Sequence, residues 1–381
     1  MKTIYFDYNA TTPLDANVRA AMLPYLDEIY GNPSSVHHIG RRARSLLDDA
    51  RDRVAKVWRC RPSEVVFTSG GTESNNMAVF GAARALRDKG RHLITSTIEH
   101  HAVLHCFQYL EKKEGFQVTY LPADSEGLIS PDDLAKAIRP DTALVSIMAA
   151  NNETGSVQAV SAFGEICRSR GVIFHSDAVQ WFGKQPFTDI SEFNADLVSF
   201  CAHKLHGPKG AGALFIKSPL HPDPVIFGGA HENERRAGTE NVAAIIGLAE
   251  SVERFVQPPV FPRDSLMTMT EHLADFVGKL KGVRFRGNRN SRLSNTVACT
   301  VSGADSITLL AGLDLEGVCA SSGSACSAGS LEPSHVMLAM GVEKAESNSL
   351  VRFSLGREST MEEVLEAERI FENVIKRARC R

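Results

Sequence analysis

Between positions 64 and 216, short apolar runs alternate with helical patterns. That alternation constrains the fold of this 381-residue chain more than any other feature. Strand-like runs are expected at 64–68, 92–96, 117–121, 143–148, 172–175, 197–200 and 213–216. Helices are expected at 73–89, 131–138 and 162–170, and another should carry His101 and His105 one turn apart. Strands that alternate with helices build an α/β domain with a mostly parallel sheet, because a parallel pair needs a long crossover. Such a sheet gathers its chemistry at the carboxyl ends of its strands.

The chain is long enough for two domains. A long helix ends at Gln257-Pro258-Pro259-Val260-Phe261-Pro262, which reads as the boundary. Helices near 263–281 and 360–378 and strands near 296–301 and 351–355 make the remainder an α+β unit. Nothing ties the first dozen residues to the central sheet, so they are expected to pack with that unit. The expectation is a large domain over 15–256 and a smaller α+β domain from 1–14 plus 257–381.

Composition removes several function classes. Lys and Arg number 42 against 45 Asp and Glu, a net charge of −3, which offers no footprint for nucleic acid or an anionic membrane. No run of 18 apolar residues suggests a membrane span, and Met1 to Asp7 turns acidic too soon for a signal peptide. The cytoplasm is the default compartment. The eight cysteines form no Cys-x-x-Cys pair, so neither a disulfide framework nor a structural zinc site is expected.

Two strand ends carry the most telling residues. Ser199-Phe200-Cys201-Ala202-His203-Lys204 closes one strand, and His175-Ser176-Asp177-Ala178-Val179-Gln180 closes another. A lysine and an aspartate so placed suit pyridoxal phosphate: the lysine forms a Schiff base and the aspartate pairs with the pyridinium nitrogen. Thr68-Ser69-Gly70-Gly71-Thr72-Glu73 joins a strand to a helix. It reads either as a tight turn or as a phosphate cup, in which glycines admit the anion and the helix start offers free N–H groups. His100, nearest its strand end, can stack on a flat ring or move protons. His101 and His105 lack the Glu of an H-E-x-x-H metal motif.

Asn151-Asn152-Glu153-Thr154-Gly155 is either a plain loop or a source of an amide for the cofactor's phenolic oxygen or a substrate carboxylate. Gln180 can reach the same oxygen. Ser321 to Ser330 is a run of small residues around Cys326, ordinarily a linker, and Leu331-Glu332-Pro333-Ser334 then starts a helix. An exposed thiol with a pKa of about 8.5 is roughly one-tenth thiolate near pH 7.5, so Cys326 needs a neighbour or the substrate to activate it. Arg352 offers a bidentate fork for a carboxylate; a surface ion pair is the plainer alternative.

In this order the motifs resemble the class V pyridoxal-phosphate enzymes, and specifically the cysteine desulfurases of the NifS/IscS-like group. The likeness starts with Tyr5-Phe6-Asp7-Tyr8-Asn9-Ala10-Thr11-Thr12-Pro13 and Gly31-Asn32-Pro33-Ser34-Ser35-Val36-His37. It runs on through Arg236-Ala237-Gly238-Thr239-Glu240-Asn241, Arg292-Leu293-Ser294-Asn295-Thr296 and the cysteine loop at about 321–332. It implies a fold type I pyridoxal-phosphate transferase, with the large domain binding the cofactor and the small one carrying the loop.

The resemblance also implies roles. Lys204 would be the Schiff-base lysine, Asp177 the pyridinium partner, His100 the stacking ring and Gln180 the contact to the phenolic oxygen. Gly71, Thr72 and His203 would hold the phosphate. Thr239 would reach the phosphate of a neighbouring subunit, which implies a homodimer. Asn152, Arg352 and Asn32 would bind the substrate. Cys326 would take sulfur from L-cysteine as a persulfide, leaving L-alanine, for iron–sulfur assembly or another acceptor; transient ligation of an iron–sulfur cluster by Cys326 stays open.

The sequence departs from the family at Cys201, where a serine usually bonds the phosphate, and at Asn233-Glu234, where Arg-Gly is common. A longer tail like the one that grips a scaffold protein in some relatives is not expected after Arg381, so the resemblance leaves a standard scaffold partnership open. A selenocysteine lyase or another class V lyase or aminotransferase is the alternative, although plain transamination needs no thiol. A catalytically silent scaffold fits the residues poorly.

Overall fold

The computed structural model describes residues 3–323 and 333–379; Cys326 and Cys380 lie outside the described residues. In chain order the first elements are β1 (Ile4–Tyr5), α1 (Ala16–Met22), α2 (His38–Trp58), β2 (Val65–Thr68), α3 (Gly71–Ala85), β3 (His92–Ser96) and α4 (His101–Glu114). There follow β4 (Gln117–Leu121), α5 (Pro131–Ala137), β5 (Thr142–Ser146), α6 (Val160–Ser169), β6 (Ile173–Asp177), β7 (Leu197–Cys201), β8 (Gly212–Ile216) and α7 (Val242–Phe255). After the proline-rich break come α8 (Arg263–Lys279), β9 (Val283–Arg286), β10 (Thr296–Val301), α9 (Ser306–Leu315) and β11 (Val318–Cys319). The chain closes with α10 (His335–Ala339), α11 (Lys344–Ser347), β12 (Leu350–Ser354) and α12 (Met361–Arg379).

Seven strands form one sheet in the order β2-β8-β7-β6-β5-β3-β4. β8 runs antiparallel to β2 and β7, and the other neighbours are parallel. β5, β7 and β8 are buried along their whole length, which is why they read as continuous apolar runs rather than as alternating ones. β6 and β7 lie side by side with Asp177 opposite Ser199. Chain leaving these two strands therefore emerges at one place.

A second, antiparallel sheet has the order β12-β10-β9. Its core contains Val297, Val351, Phe353 and Phe371, and it takes in Ile4, Phe6 and Tyr8 from the start of the chain. β1 pairs in parallel with β11. Val336, Met337, Met340 and Val342, from beyond the proline-rich break, instead pack into the core of the large sheet. α10 begins at His335, where the Ser334 hydroxyl accepts from the Met337 N–H.

The longest helix, α2, was not among the expected elements. Its charged residues dilute the apolar pattern, yet Ala43, Leu47, Ala50, Val54 and Trp58 recur at helical spacing and are buried. Burying a large apolar side chain contributes roughly 1.5–3 kcal/mol, and Trp58 stacks on Phe182 at 5.6 Å. β9, α9 and the two-residue strands β1 and β11 were likewise not anticipated; strands that short leave no periodic signal.

Candidate active site

Lys204 ends the short turn after β7, and Asp177 is the last residue of β6. Both line one cavity of about 190 Å³, together with Asn9, Gly71, Thr72, His100, Asn152, Gln180, Cys201, His203 and Arg352. That is well above the roughly 30 Å³ share of one water. The sheet order explains the meeting, since β6 and β7 are neighbours and α3 starts beside their carboxyl ends.

Asp177 is buried. Its carboxylate accepts from Asn75 Nδ2 at 2.7 Å and from the Val179 N–H at 3.0 Å. Burial pushes the carboxyl above its ordinary value, a cost that a cationic partner offsets. Lys204 Nζ donates to the carbonyls of Asn9 at 2.6 Å and Ala10 at 2.7 Å.

His100 caps α4. Its Nδ1 accepts from the Ala102 N–H at 3.1 Å, so the neutral ring carries its proton on Nε2. Burial, then the nearby Lys204 charge, lowers its pKa to about 4. His203 is lowered to about 4 as well, by burial and then by Lys204, and its Nδ1 meets Thr11 Oγ1 at 3.2 Å. Neutral, flat imidazoles suit ring contact better than charge pairing.

Gly70 has φ of 152°, a conformation that favours glycine, and α3 begins at Gly71 with exposed Thr72 next. The start of a 15-residue helix thus opens onto the cavity. A Cβ on Gly71 would meet Val179 Cγ2 at 2.7 Å, so only glycine lets the backbone sit so close. Cys201 stands against this cup, and burial raises its thiol to about 11; a neutral thiol is a weak donor.

Arg352 is 1% exposed, which removes the surface-ion-pair alternative. Its NH1 donates to the Asn152 carbonyl at 2.9 Å and the Gly323 carbonyl at 2.8 Å, and its NH2 to Asp7 Oδ1 at 2.7 Å. The structure does not bring two expected residues into the cavity. Asn32 is exposed, with its Oδ1 taken by the Ser34 N–H, and Thr239 is exposed as well. Cys326 lies outside the described residues. The His101 and His105 rings stack at 4.7 Å and 15°, and among the described residues no group of three or more His, Cys, Asp or Glu could hold a metal ion.

Two residues were missed. The Asn9 carbonyl accepts from Lys204 Nζ and from Gln180 Nε2 at 2.9 Å, and its side chain bonds the Asn152 carbonyl, Thr296 and Asn295. Lys184, fully buried, donates to Asn9 Oδ1 and Gln180 Oε1. The Asn9 stretch had been singled out without a role. Lys184 gave no signal, because a lysine reads as surface until its burial is known.

The expected cofactor fits these residues. A buried carboxylate faces the same cavity as a lysine, neutral rings flank it, and a glycine-opened helix start offers N–H groups to a phosphate.

The aminotransferase class-V family matches residues 4–366. A protein from Dictyoglomus turgidum named cysteine desulfurase IscS is 45% identical over 379 residues, covering 99% of this chain and 96% of that protein. A solved NifS-like protein superposes with a TM-score of 0.91 at 36% identity, covering 98% of this chain and 99% of its own. The structure of SspA in complex with cysteine has a TM-score of 0.81 at 36% identity, covering 94% of this chain and all of that one. The mostly parallel seven-stranded sheet is thus that of the fold type I transferases, as the sequence led us to expect.

Proposed function

This chain belongs to the aminotransferase class-V family, and we propose that it is a pyridoxal-phosphate-dependent cysteine desulfurase, converting L-cysteine to L-alanine and keeping the sulfur on Cys326. The observation that carries the reading is the pairing of Lys204 with buried Asp177 in one cavity at adjacent strand ends. Full-length likeness to proteins named cysteine desulfurase supports the choice of reaction.

When bound, pyridoxal phosphate supplies an electron sink for the substrate's α-carbon. Lys204 Nζ would tether the cofactor and move a proton at the substrate's α-carbon. The buried Asp177 carboxylate would pair with the cofactor's ring nitrogen and favour its protonated form. His100 covers the ring face without adding charge. Gly71, Thr72, Cys201 and His203 line the cavity and would hold the phosphate, and Gln180 would contact the phenolic oxygen. Asn152 and Arg352 orient the substrate carboxylate. Cys326 Sγ, as thiolate, attacks the substrate sulfur. The new S–S bond forms as the C–S bond breaks, and that bond's electron pair stays with carbon, which takes a proton to become alanine.

The persulfide then passes to iron–sulfur cluster assembly or another acceptor. A homodimer and residence in the cytoplasm belong to the same proposal. Val36 and Phe227, 87% and 81% exposed, are large apolar side chains of the kind a partner surface covers, and exposed Thr239 would reach the phosphate across that interface. Among the described residues no helix is long and apolar enough to cross a membrane.

The test is to load the purified protein with pyridoxal phosphate, add L-cysteine and quantify alanine. Alanine formed at many turnovers per protein supports the reading; a loaded protein that makes none refutes it.

A further inference from the structure

Lys184, beside the cavity, carries an amine that the proposed reaction leaves unused. Its side chain is fully buried, which costs free energy that an apolar residue of similar size would not. Burial, and then the charges of Lys204 and Arg352, push its amine well below the ordinary value. Among the described residues no carboxylate bonds it. Its partners are two amide oxygens, Asn9 Oδ1 at 2.6 Å and Gln180 Oε1 at 2.5 Å, and the Phe261 ring lies 5.2 Å from Nζ.

Those partners decide how two site residues face. A lysine offers hydrogens, so Gln180 must present its oxygen to Lys184 and turn its NH₂ end the other way. One of that group's two hydrogens goes to the Asn9 carbonyl at 2.9 Å, and Gln180 lines the cavity. Asn9 is held at the same time. Its Oδ1 takes Lys184 and Asn295 Nδ2, while its backbone carbonyl takes Lys204 Nζ at 2.6 Å. Gln180 and Lys184 stand four residues apart in the turn after β6, so one local segment supplies both the cavity amide and its clamp.

The geometry points to Lys184 as a positioning residue: by binding Gln180 Oε1 and Asn9 Oδ1 it fixes the Gln180 amide with an N–H toward the cavity and holds the Asn9 carbonyl on Lys204. The inference rests on the function proposed above, since it assumes that the cavity takes pyridoxal phosphate. Gln180 is the group that touches the cofactor, and Lys184 acts through it.

The test compares four proteins: unmodified, Lys184→Met, Gln180→Ala and the double variant. Each is checked for native circular dichroism, titrated with pyridoxal phosphate, and its visible spectrum recorded when loaded. Each single substitution is expected to weaken cofactor binding about tenfold, the scale of one lost buried hydrogen bond. The double variant should bind no more weakly than the weaker single, because both remove one arrangement. The visible band should move in the same sense in both singles. A Lys184→Met protein with unchanged affinity and spectrum overturns the inference, and so do losses that multiply in the double variant. Should Lys184→Met not fold, Lys184→Gln, which keeps an amide donor, takes its place under the same non-additivity criterion. An unmodified protein that takes up no pyridoxal phosphate contradicts the function itself, a result visible before any variant is compared.

Discussion

Replacing Arg352 by methionine should destabilise the cofactor-free protein by about 3 kcal/mol. The guanidinium is buried and makes three hydrogen bonds, to the Asn152 and Gly323 carbonyls and to Asp7 Oδ1. Removing one partner of a buried charged pair costs about 3–5 kcal/mol, because the other charge is left behind. The Asp7 side chain keeps 20% of its exposure, so water recovers part of its charge and the lower end applies. The Asn152 carbonyl also retains Asn9 Nδ2 at 3.2 Å, whereas among the described residues Arg352 is the donor to the Gly323 carbonyl. Urea unfolding measures the effect: with a slope near 3 kcal/mol/M for a protein of this size, the midpoint should fall by about 1 M. Cofactor-free protein is needed, because a ligand that binds only the folded state adds its own stabilisation. Arg352→Lys, which can keep one of the three contacts, should lose less. A midpoint shift below about 0.3 M in Arg352→Met would refute the anchoring reasoning, and Arg352 would then be held chiefly for its substrate.

Three further outcomes follow from the same geometry. Asp177→Asn keeps the shape and removes the charge, so cofactor binding should weaken at least about tenfold; unchanged affinity in a titration would count against the pyridinium pairing. Cys201→Ser restores a stronger hydroxyl donor at the helix start and should tighten cofactor binding a few-fold; weaker binding would mean that the thiol is not a compromised phosphate contact. His175 is fully buried between Ser146 Oγ at 2.7 Å and Ser199 Oγ at 2.9 Å, and burial lowers it from 6.5 to about 3. The unfolded chain therefore takes the proton first. Stability is fully present above pH 6.5 and falls as pH drops toward 3, by up to about 1.4 kcal/mol per pH unit from this group. His175→Gln should flatten that acid-side slope in urea midpoints, and an identical slope in both proteins would contradict the assignment.

The strand ends were legible because buried parallel strands show as apolar runs and the polar residue that closes each run stands out. Asp177 closes such a run, and Lys204, His100 and Gly71 each lie three or four residues beyond one. Strand direction was not legible: β8 reads like its neighbours, and only its short connection to β7 hints that it runs antiparallel. Burial of polar groups was also hidden. Asn9 and Lys184 are ordinary letters in the sequence, and their roles come from contacts across long stretches of chain. Arg352 shows the reverse case, where two readings stood open until its exposure chose between them. Asn32 and Thr239 stay exposed in a single chain, so a fold traced from one copy does not bring them to the cavity.

On the proposed mechanism Lys204 holds the cofactor while Cys326 takes the sulfur. A single turnover tests it most directly: loaded protein with less than one equivalent of L-cysteine, followed by alanine analysis and peptide mass measurement. The account predicts one alanine for each sulfur atom gained on the peptide containing Cys326. It also predicts no such gain in Cys326→Ser, and neither product in Lys204→Ala. Alanine formed at full yield by Cys326→Ser, or sulfur found on another cysteine of the unmodified protein, would contradict it.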